Sequence, residues 1–362
     1  MIRVLVVEDS PVVQEFLVQI LRSEPDIEVV GIAATGEEAL EAVERVRPDV
    51  VTMDIHMPKM NGFDATRRIM ETRPTPIVIV SGATDVNSAA AAFQAMQAGA
   101  LAVLPRPAGV THPDHNKSAA ELVSTVKLMS EVKVIRRWPT VVQRASQPAT
   151  IPVRPKLPNT RIQIVAMGAS TGGPPVLQSI LSQIPKQLSV PIVVVQHMAE
   201  GFIQGFATWL EQVCALPVQI GRQGMDLLPG HVYLAPDGAH MLIGSEGRLA
   251  LSKNEPKSVI CPSVSRLFRS VAEVYKKNAV GILLTGMGKD GAEELKLMRQ
   301  AGAVTIAQNA MTSIVYGMPG EACRIGAADY ELSPEEIGTV LSGMLSSVAK
   351  RGLGDTRMET KL

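Results

Sequence analysis

Three acidic side chains stand where short apolar runs end in the first hundred residues. Glu8 and Asp9 follow the run Ile2–Val7, and Asp54 follows the run Val50–Met53. If both runs are parallel strands of one sheet, their carboxyl ends share the edge at which such sheets bind ligands. Clustered carboxylates repel one another unless a cation lies among them, and Mg²⁺ takes oxygen ligands. An Asp beside Mg²⁺ can accept a phosphoryl group, because carboxylates act as nucleophiles.

A hydroxyl and a cation follow two further apolar runs of this region. Ser81 comes directly after Ile77–Val80, and Arg106 comes shortly after Leu101–Leu104. The hydroxyl could bond a phosphoryl oxygen, and the cation could lie on the same group. Each acid by itself is more often an ordinary solvated loop residue. The ordered set favours a metal and phosphate site.

A second set of reactive residues lies beyond residue 161. The sequence GASTGG at 168–173 follows an apolar run and matches G-x-S-x-G, a sharp turn that presents the Ser170 hydroxyl. The helix N-terminus that follows would favour an oxyanion. A serine hydroxyl needs a base, and His197 directly follows the next run. Asp290, in a glycine-rich loop after a later run, could orient the imidazole. The order Ser…His…Asp differs from the usual α/β-hydrolase order.

Other interpretations of this region remain open. A dinucleotide-binding turn needs G-x-G-x-x-G, but Ser170 occupies the place of the middle glycine. A phosphate loop needs Gly-Lys-Ser/Thr, whereas Gly173 is followed by Pro174. Taken singly, Ser170 is more often a helix cap, His197 a loop histidine and Asp290 a turn residue. Their joint occurrence at three predicted strand ends favours catalysis.

The elements that must position these residues are apolar runs that alternate with amphipathic stretches, a pattern typical of doubly wound parallel sheets. A fourth helix is predicted at Ala89–Ala98 and a fifth from His115 to about Arg137. The other predicted strands are Glu28–Ala33 in the first region and, in the second, Ile162–Met167, Ile192–Val195, Val232–Ala235, Gly281–Leu284 and Ala303–Ala307. We therefore expect an α/β protein with two such sheets.

Charge divides the chain of 362 residues, although 35 basic and 35 acidic residues sum to zero. The net charge is −7 over 1–105, +7 over 106–161 and zero over 162–362. Residues 138–160 contain five prolines and no acid, which predicts a linker. The predicted domains are 1–137 and 161–350, with a tail at 351–362. A neutral chain with no basic recognition helix indicates no nucleic-acid partner.

Three cysteines lie far apart, without a CxxC pair, so neither a disulfide framework nor a zinc site is indicated. The first residues have no signal-peptide layout, and no apolar run has the length of about 18 residues that a membrane span needs. The sequence predicts a cytoplasmic protein that does not insert into a membrane.

The motifs VVEDS, MDIHMPKMNG, VSG and PRP resemble the receiver domain of two-component response regulators over residues 1 to about 130. The resemblance implies a flavodoxin-like (βα)5 fold with Asp54 as the phosphorylation site. It also implies that Glu8, Asp9, Asp54 and the His56 carbonyl hold Mg²⁺, and that Ser81 and Arg106 form the phosphate switch. Receivers usually carry Lys in place of Arg106 and a switching aromatic in place of Val103.

The motifs MGASTGGP, VVQHM, LAPDGAHM, LLTGMGKDGAEEL and AQNAMTSIVYGMPGEA resemble the chemotaxis protein-glutamate methylesterase (CheB) family over residues 162 to about 350. The resemblance implies that Ser170 is the nucleophile, His197 the general base and Asp290 its partner. It implies an oxyanion hole from the Met287 N–H and an N–H of the Ser170 turn, where Thr171 and Gly172 lie, and it implies that Thr171 helps to position His197. Ile260–Val264 departs from the family, which often has His-Arg there.

The resemblances together imply a phosphorylation-regulated hydrolase that demethylates γ-glutamyl methyl esters, and deamidates glutamines, on methyl-accepting chemoreceptors. Its phosphodonor would be a histidine kinase of the CheA type. Phosphorylation of Asp54 would relieve occlusion of the Ser170 cleft by the first domain. No cofactor is expected for the esterase chemistry. The alternative is a receiver with a non-catalytic docking domain.

Overall fold

The computed structural model describes residues 1–82, 95–132, 134, 161–253 and 260–351, with backbone alone after residue 343. The chain divides into two compact units, Met1–Thr150 and Ile151–Leu362. The predicted linker at 138–160 and almost all of the predicted tail lie outside the described residues, so the predicted domain limits stay predictions.

The first unit contains a five-stranded parallel sheet in the order β2-β1-β3-β4-β5. Its strands are β1 (Ile2–Val7), β2 (Ile27–Ala33), β3 (Val50–Met53), β4 (Ile77–Ser81) and β5 (Ala102–Pro105). Its helices are α1 (Pro11–Arg22), α2 (Gly36–Val46), α3 (Gly62–Thr72) and α4 (His115–Ser130). Because β3 and β4 are buried along their whole length, as strands covered on both faces must be, they read as continuous apolar runs.

Two helices of this unit begin where their sequences provide an N-cap. The Thr35 side chain accepts from the Glu38 N–H at 3.2 Å, and that of Asn61 accepts from the Asp64 N–H at 2.8 Å. Each bond satisfies one of the N–H groups that a helix start leaves without an intrahelical partner. The side chains of Thr35 and Asn61 therefore fix where α2 and α3 begin.

The helix predicted from His115 to about Arg137 ends earlier, at Ser130. The Val132 N–H donates to Met129 O at 3.1 Å, three residues back, which tightens the final turn and stops the α-helical pattern. Of the helix predicted at Ala89–Ala98, residues 95–98 are helical and the rest lies outside the described residues.

The second unit contains a seven-stranded parallel sheet, in the order β14-β13-β12-β6-β7-β9-β8, and an antiparallel hairpin, β10-β11. The strands are β6 (Ile164–Ala169), β7 (Ile192–Gln196), β8 (Val218–Ile220), β9 (Val232–Leu234), β10 (Ala239–Ile243), β11 (Leu249–Lys253), β12 (Ala279–Leu283), β13 (Val304–Gln308) and β14 (Tyr330–Leu332). The helices are α5 (Gly173–Leu181), α6 (Ile203–Val213), α7 (Val264–Tyr275), α8 (Ala292–Gln300), α9 (Met318–Arg324) and α10 (Pro334–Arg351).

The centre of this sheet positions the catalytic candidates. The strands β12, β6 and β7 are buried at every residue, and β6 pairs with β7 on one side and β12 on the other. Ser170 and His197 directly follow β6 and β7, and Asp290 lies in the loop after β12. Their side chains therefore come from the same edge of three adjacent strands, as the sequence predicts.

Each predicted strand lies on an observed strand, with limits that differ by at most two residues. The sequence analysis missed the short strands β8 and β14 and the hairpin β10-β11. Among the described residues, no helix has the length and apolar character needed to cross a membrane.

Candidate functional site

Ser170 begins the turn between β6 and α5. Its N–H donates to Thr285 O at 3.0 Å, and its carbonyl accepts from the Gly173 N–H at 2.8 Å. Gly172 has a φ of 77°, in the left-handed region that favours glycine, and a Cβ there would lie 2.8 Å from the Ile314 side chain. The two glycines after Thr171 thus let the chain turn sharply while Ser170 stays partly exposed.

His197 and Asp290 form the closest polar pair of the site. His197 Nε2 donates to Asp290 Oδ2 at 2.9 Å, and the side chains are 15% and 10% exposed. An ionised carboxylate can only accept, so the pairing assigns the ring proton to Nε2 and leaves Nδ1 as the basic nitrogen. The ring is thus in a tautomer that can take a proton through Nδ1.

The N-terminus of α7 holds the Asp290 carboxylate. Asp290 Oδ1 accepts from Ser263 Oγ at 2.9 Å and from the Ser265 N–H at 3.1 Å, and Oδ2 accepts from the Val264 N–H at 2.7 Å. Burial by itself raises the pKa of Asp290, but hydrogen bonds from His197 and Ser265 outweigh it and hold the pKa well below its ordinary value. Asp290 is therefore a fixed negative charge beside the imidazole.

Unused backbone N–H groups lie at the nucleophile turn and in the loop after β12. Among the described residues, the N–H groups of Thr171, Gly172 and Met287 donate to no other residue. A Cβ at Gly286 would lie 2.6 Å from Ser170 Cβ, so the absence of a side chain brings the Met287 main chain next to the nucleophile. Unused N–H donors beside a nucleophile are a requirement of an oxyanion hole, and the assignment of these three residues to one stays a prediction.

The roles of individual residues in this site remain predictions. Within the described part of the chain, no hydrogen bond joins Ser170 Oγ to His197, a looseness common in catalytic sites without substrate. Thr171 contributes its carbonyl, which accepts from Thr285 Oγ1 at 3.0 Å. The positioning of His197 by Thr171 stays a prediction.

Sequence reasoning missed three residues that hold this site together. Ser263 caps α7 and binds Asp290, Thr285 binds the Ser170 turn, and Gln196 donates to the main chain of its neighbours. A polar residue at a buried strand end was the available signal for Gln196. Nothing in the local pattern at Ser263 indicates that it meets a residue of a distant loop.

The three predicted acids of the first unit also come together. One ligand oxygen from each of Glu8, Asp9 and Asp54 lies within 4.8 Å of the others, and Glu8 and Asp54 are buried whereas Asp9 is exposed. Burial and the Asp54 charge raise the pKa of Glu8 to about 7. Burial also raises the pKa of Asp54. A set of hard oxygen donors whose charges are this poorly solvated fits a divalent cation such as Mg²⁺.

Arg106 lies on the same acids. Its Nη2 is 3.0 and 3.2 Å from the two Glu8 oxygens and 3.8 Å from Asp54 Oδ2. Its N–H donates to Ser81 O at 2.9 Å, and its guanidinium passes over Gly82, where a Cβ would lie 3.0 Å from Nη1. Ser81 is buried at the end of β4. The cation, hydroxyl and acids therefore share one sheet edge.

His56 follows Asp54 by two residues and is exposed. The contribution of its carbonyl to a metal site stays a prediction. Val103 lies in β5, partly buried, where receivers usually carry an aromatic residue.

Comparison with known proteins decides between the interpretations left open by the sequence. Residues 4–112 match the response regulator receiver domain family, and residues 165–341 match the CheB methylesterase family. A protein-glutamate methylesterase/protein-glutamine glutaminase of Nitrosospira multiformis is 55% identical over 364 residues, which cover 100% of this chain and 99% of the relative. The chain belongs to the protein-glutamate methylesterase/protein-glutamine glutaminase (CheB) family.

A second family member, protein-glutamate methylesterase/protein-glutamine glutaminase 1 of Syntrophus aciditrophicus, is 53% identical over 351 residues, covering 96% of this chain and 100% of the relative. The crystal structure of the Thermotoga maritima CheB methylesterase catalytic domain is 34% identical, covers 51% of this chain and 100% of that chain, and has a TM-score of 0.49. The two family matches and the full-length relatives confirm both resemblances predicted from the motifs. The two parallel sheets and the order of the family matches confirm the α/β fold with the receiver first.

Proposed function

We propose that this protein is a phosphorylation-regulated hydrolase of γ-glutamyl methyl esters that also deamidates glutamine side chains. The observation that carries the proposal is the His197–Asp290 pair, which lies at the same sheet edge as Ser170, with Asp290 held ionised at the N-terminus of α7. The family's named activities, protein-glutamate methylesterase and protein-glutamine glutaminase, support the substrate class.

The reaction proposed here is acyl transfer to serine. Ser170 Oγ attacks the ester carbonyl while His197 Nδ1 takes its proton. The N–H groups of Thr171, Gly172 and Met287 are free to receive the oxyanion. His197 then gives the proton to the ester oxygen, which leaves as methanol, or to the amide nitrogen, which leaves as ammonia. Water, activated by His197, hydrolyses the acyl-enzyme and restores Ser170.

Asp290 supports two steps of this sequence. Its charge stabilises the imidazolium that forms when His197 takes the serine proton. Its bond to Nε2 keeps the ring in the tautomer whose Nδ1 is free. The bonds from α7 keep the carboxylate itself from turning.

Regulation is proposed to act through Asp54, which would receive a phosphoryl group from a histidine kinase of the CheA type. Glu8, Asp9 and Asp54, with the His56 carbonyl, would hold Mg²⁺, which supplies positive charge to the phosphoryl oxygens. Ser81 and Arg106 would bind the phosphoryl group, because a hydroxyl and a guanidinium suit its oxygens. The substrate would be the helical cytoplasmic part of methyl-accepting chemoreceptors, which places the protein's action in the cytoplasm.

Methanol release from methylated receptor tests this proposal. The parent protein should release methanol, and Ser170→Ala should reduce the rate to background. A phosphodonor should accelerate the parent but not Asp54→Ala. Full activity in Ser170→Ala would contradict the mechanism, and equal rates with and without phosphodonor in the parent would contradict the regulation.

A further inference from the structure

Gln196, the last residue of β7, lies next to the catalytic candidates and has no part in the mechanism above. Its side chain is 3% exposed, and its register partner on β6 is Ala169, the residue before the nucleophile. Its Nε2 donates to Ser170 O and to His197 O, each at 2.8 Å. An amide nitrogen has two hydrogens, and both are used here. One side chain therefore joins the main chain of the nucleophile to that of the base.

The chemistry of these partners fixes the orientation of the Gln196 amide. Both partners are carbonyl oxygens, so the opposite orientation would place Oε1 against two acceptors and lose both hydrogen bonds. In the observed orientation Oε1 has no hydrogen-bond partner among the described residues. It faces Gly173, where a Cβ would lie 2.0 Å from Oε1. The second glycine of the turn thus makes room for this amide.

An unpaired buried acceptor destabilises the fold, because it has lost its hydrogen bonds to water and gained none in return. In the observed orientation Oε1 is unpaired, while both Nε2 hydrogens bind the main chain of the catalytic candidates. A buried polar group without a partner in a native fold calls for such an explanation. We explain the unpaired oxygen by the position of the amide, whose two hydrogens fix the carbonyls of Ser170 and His197.

The remaining anchors show what Gln196 adds. The Ser170 main chain is also held by Thr285 O, which accepts its N–H, and by the Gly173 N–H, which donates to its carbonyl. Among the hydrogen bonds of the described residues, only the one from Gln196 reaches the His197 carbonyl. The His197 N–H donates to Ala169 O at 2.9 Å and its ring is held by Asp290, so loss of the amide would free the carbonyl end of His197 and loosen its link to the Ser170 turn.

We propose that Gln196 is a positioning residue that sets the distance between Ser170 and His197. This inference rests on the proposed function, in which His197 takes the proton of Ser170. A displacement of about 1 Å between reacting groups can cost roughly 10²-fold in rate. The substrate does not touch this buried amide, so its loss acts on the chemical step rather than on substrate binding.

The test substitutes Gln196→Met in the full chain, because Met has similar length and no hydrogen-bond donor. We expect kcat for methanol release to fall about 10- to 100-fold and KM to stay within about twofold. The rate at which a fluorophosphonate phosphonylates Ser170, with loss of fluoride, should fall by the same factor as kcat. The control is Gln183→Met, since exposed Gln183 also donates to a main-chain carbonyl, Ser179 O at 2.8 Å. That variant should react like the parent.

Three results would overturn the inference: kcat of Gln196→Met within twofold of the parent, a higher KM at unchanged kcat, or the same loss in Gln183→Met. If Gln196→Met does not fold, hydrogen exchange of the Gln196 side-chain amide in the parent decides. Both amide protons should exchange far more slowly than those of exposed glutamines. Exchange at the rate of an exposed glutamine would refute the two hydrogen bonds of Gln196. If the parent releases no methanol but its Ser170 is phosphonylated, the proposed substrate fails while the phosphonylation rates still test Gln196.

Discussion

Asp290→Asn is a sharp test of how the catalytic pair is built. The carboxylate accepts at both oxygens, from Val264 N–H at 2.7 Å and His197 Nε2 at 2.9 Å on Oδ2, and from Ser263 Oγ at 2.9 Å and Ser265 N–H at 3.1 Å on Oδ1. An asparagine keeps one acceptor and gains an NH₂ group. Its orientation decides which tautomer of His197 survives.

The hydrogen bonds favour one orientation of the new amide. An NH₂ at the Oδ2 position would face the Val264 N–H, which cannot rotate away, across the shortest bond of the set. An NH₂ at the Oδ1 position faces the longer bond from Ser265, and the Ser263 hydroxyl can turn to accept. The amide oxygen therefore stays on His197, and the tautomer with a free Nδ1 is kept.

The expected loss of activity then comes from the missing charge at position 290 and not from a change in the His197 tautomer. Replacing a charge-assisted hydrogen bond to the imidazolium by a neutral one costs roughly 2–3 kcal/mol in the transition state, or about 30- to 150-fold in kcat. A reversed tautomer would cost about 10⁴-fold. Steady-state methanol release measures the factor, and ¹⁵N chemical shifts of the His197 ring report the tautomer.

Asp329→Asn is the matched control, because Asp329 accepts from Arg299 Nε at 2.7 Å and from Thr305 N–H and Oγ1 at 3.1 and 3.0 Å, with no contact to the catalytic residues. It should lower stability without lowering kcat. A 10⁴-fold loss in Asp290→Asn would refute the orientation argument, and a loss below threefold would refute the pairing itself.

The depressed pKa of Asp290 makes a linked prediction about stability. A carboxylate whose folded-state pKa lies below its ordinary 3.8 stabilises the fold fully above that pH and loses the contribution as the pH falls through the folded value. The difference in unfolding free energy between parent and Asp290→Asn, measured with urea, should be constant above about pH 5 and shrink below pH 4. A difference in unfolding free energy that persists unchanged to pH 2 would show that the depressed pKa of Asp290 does not stabilise the fold.

Three more predictions concern the acids and the nucleophile turn. Because the pKa of Glu8 is raised from 4.5 to about 7, the folded metal-free receiver binds more protons than the unfolded chain. Its unfolding free energy, measured with urea in the presence of EDTA, should therefore fall as the pH rises between those values. A pH-independent unfolding free energy, or a pH dependence that neither Mg²⁺ nor Glu8→Gln changes, would contradict this prediction. Arg106→Ala removes a cation 3.0 Å from Glu8 and should tighten Mg²⁺ binding roughly tenfold in calorimetry, whereas Arg73→Ala, which removes a half-buried cation paired with Glu44, should not. Equal affinities of the parent and Arg106→Ala would refute a competing charge. Gly286→Ala puts a Cβ 2.6 Å from Ser170 Cβ and should slow fluorophosphonate labelling of Ser170 by at least about tenfold; parent-like labelling would contradict the close approach.

Strand periodicity and strand ends predicted most of what positions the two sites. A parallel sheet brings the ends of its strands to one edge, so Ser170, His197 and Asp290 could be placed together without knowing the strand order. The same reasoning placed Glu8 and Asp54 together at one edge of the first sheet. These inferences depend on backbone topology alone.

The contacts that orient those residues could not be predicted in this way. Ser263 meets Asp290 across 27 residues and Thr285 meets Thr171 across 114, and such pairs depend on helix packing. Gln196 reads locally as an ordinary strand end, and its use of both amide hydrogens emerges only when β6 and β7 are paired. The early end of α4 at Ser130 likewise reflects a local turn that apolar spacing does not encode.

The strand order of the second sheet has a consequence for the protein during synthesis. The strands that carry Ser170 and His197 are neighbours both in the chain and in the sheet, but Asp290 lies 93 residues beyond His197 and comes from the opposite neighbour of β6. A nascent chain that has emerged only as far as β7 therefore carries nucleophile and base without the carboxylate that orients the base. Hydrolytic competence arises only when a late strand inserts against an early one, so the activity is coupled to completion of the domain.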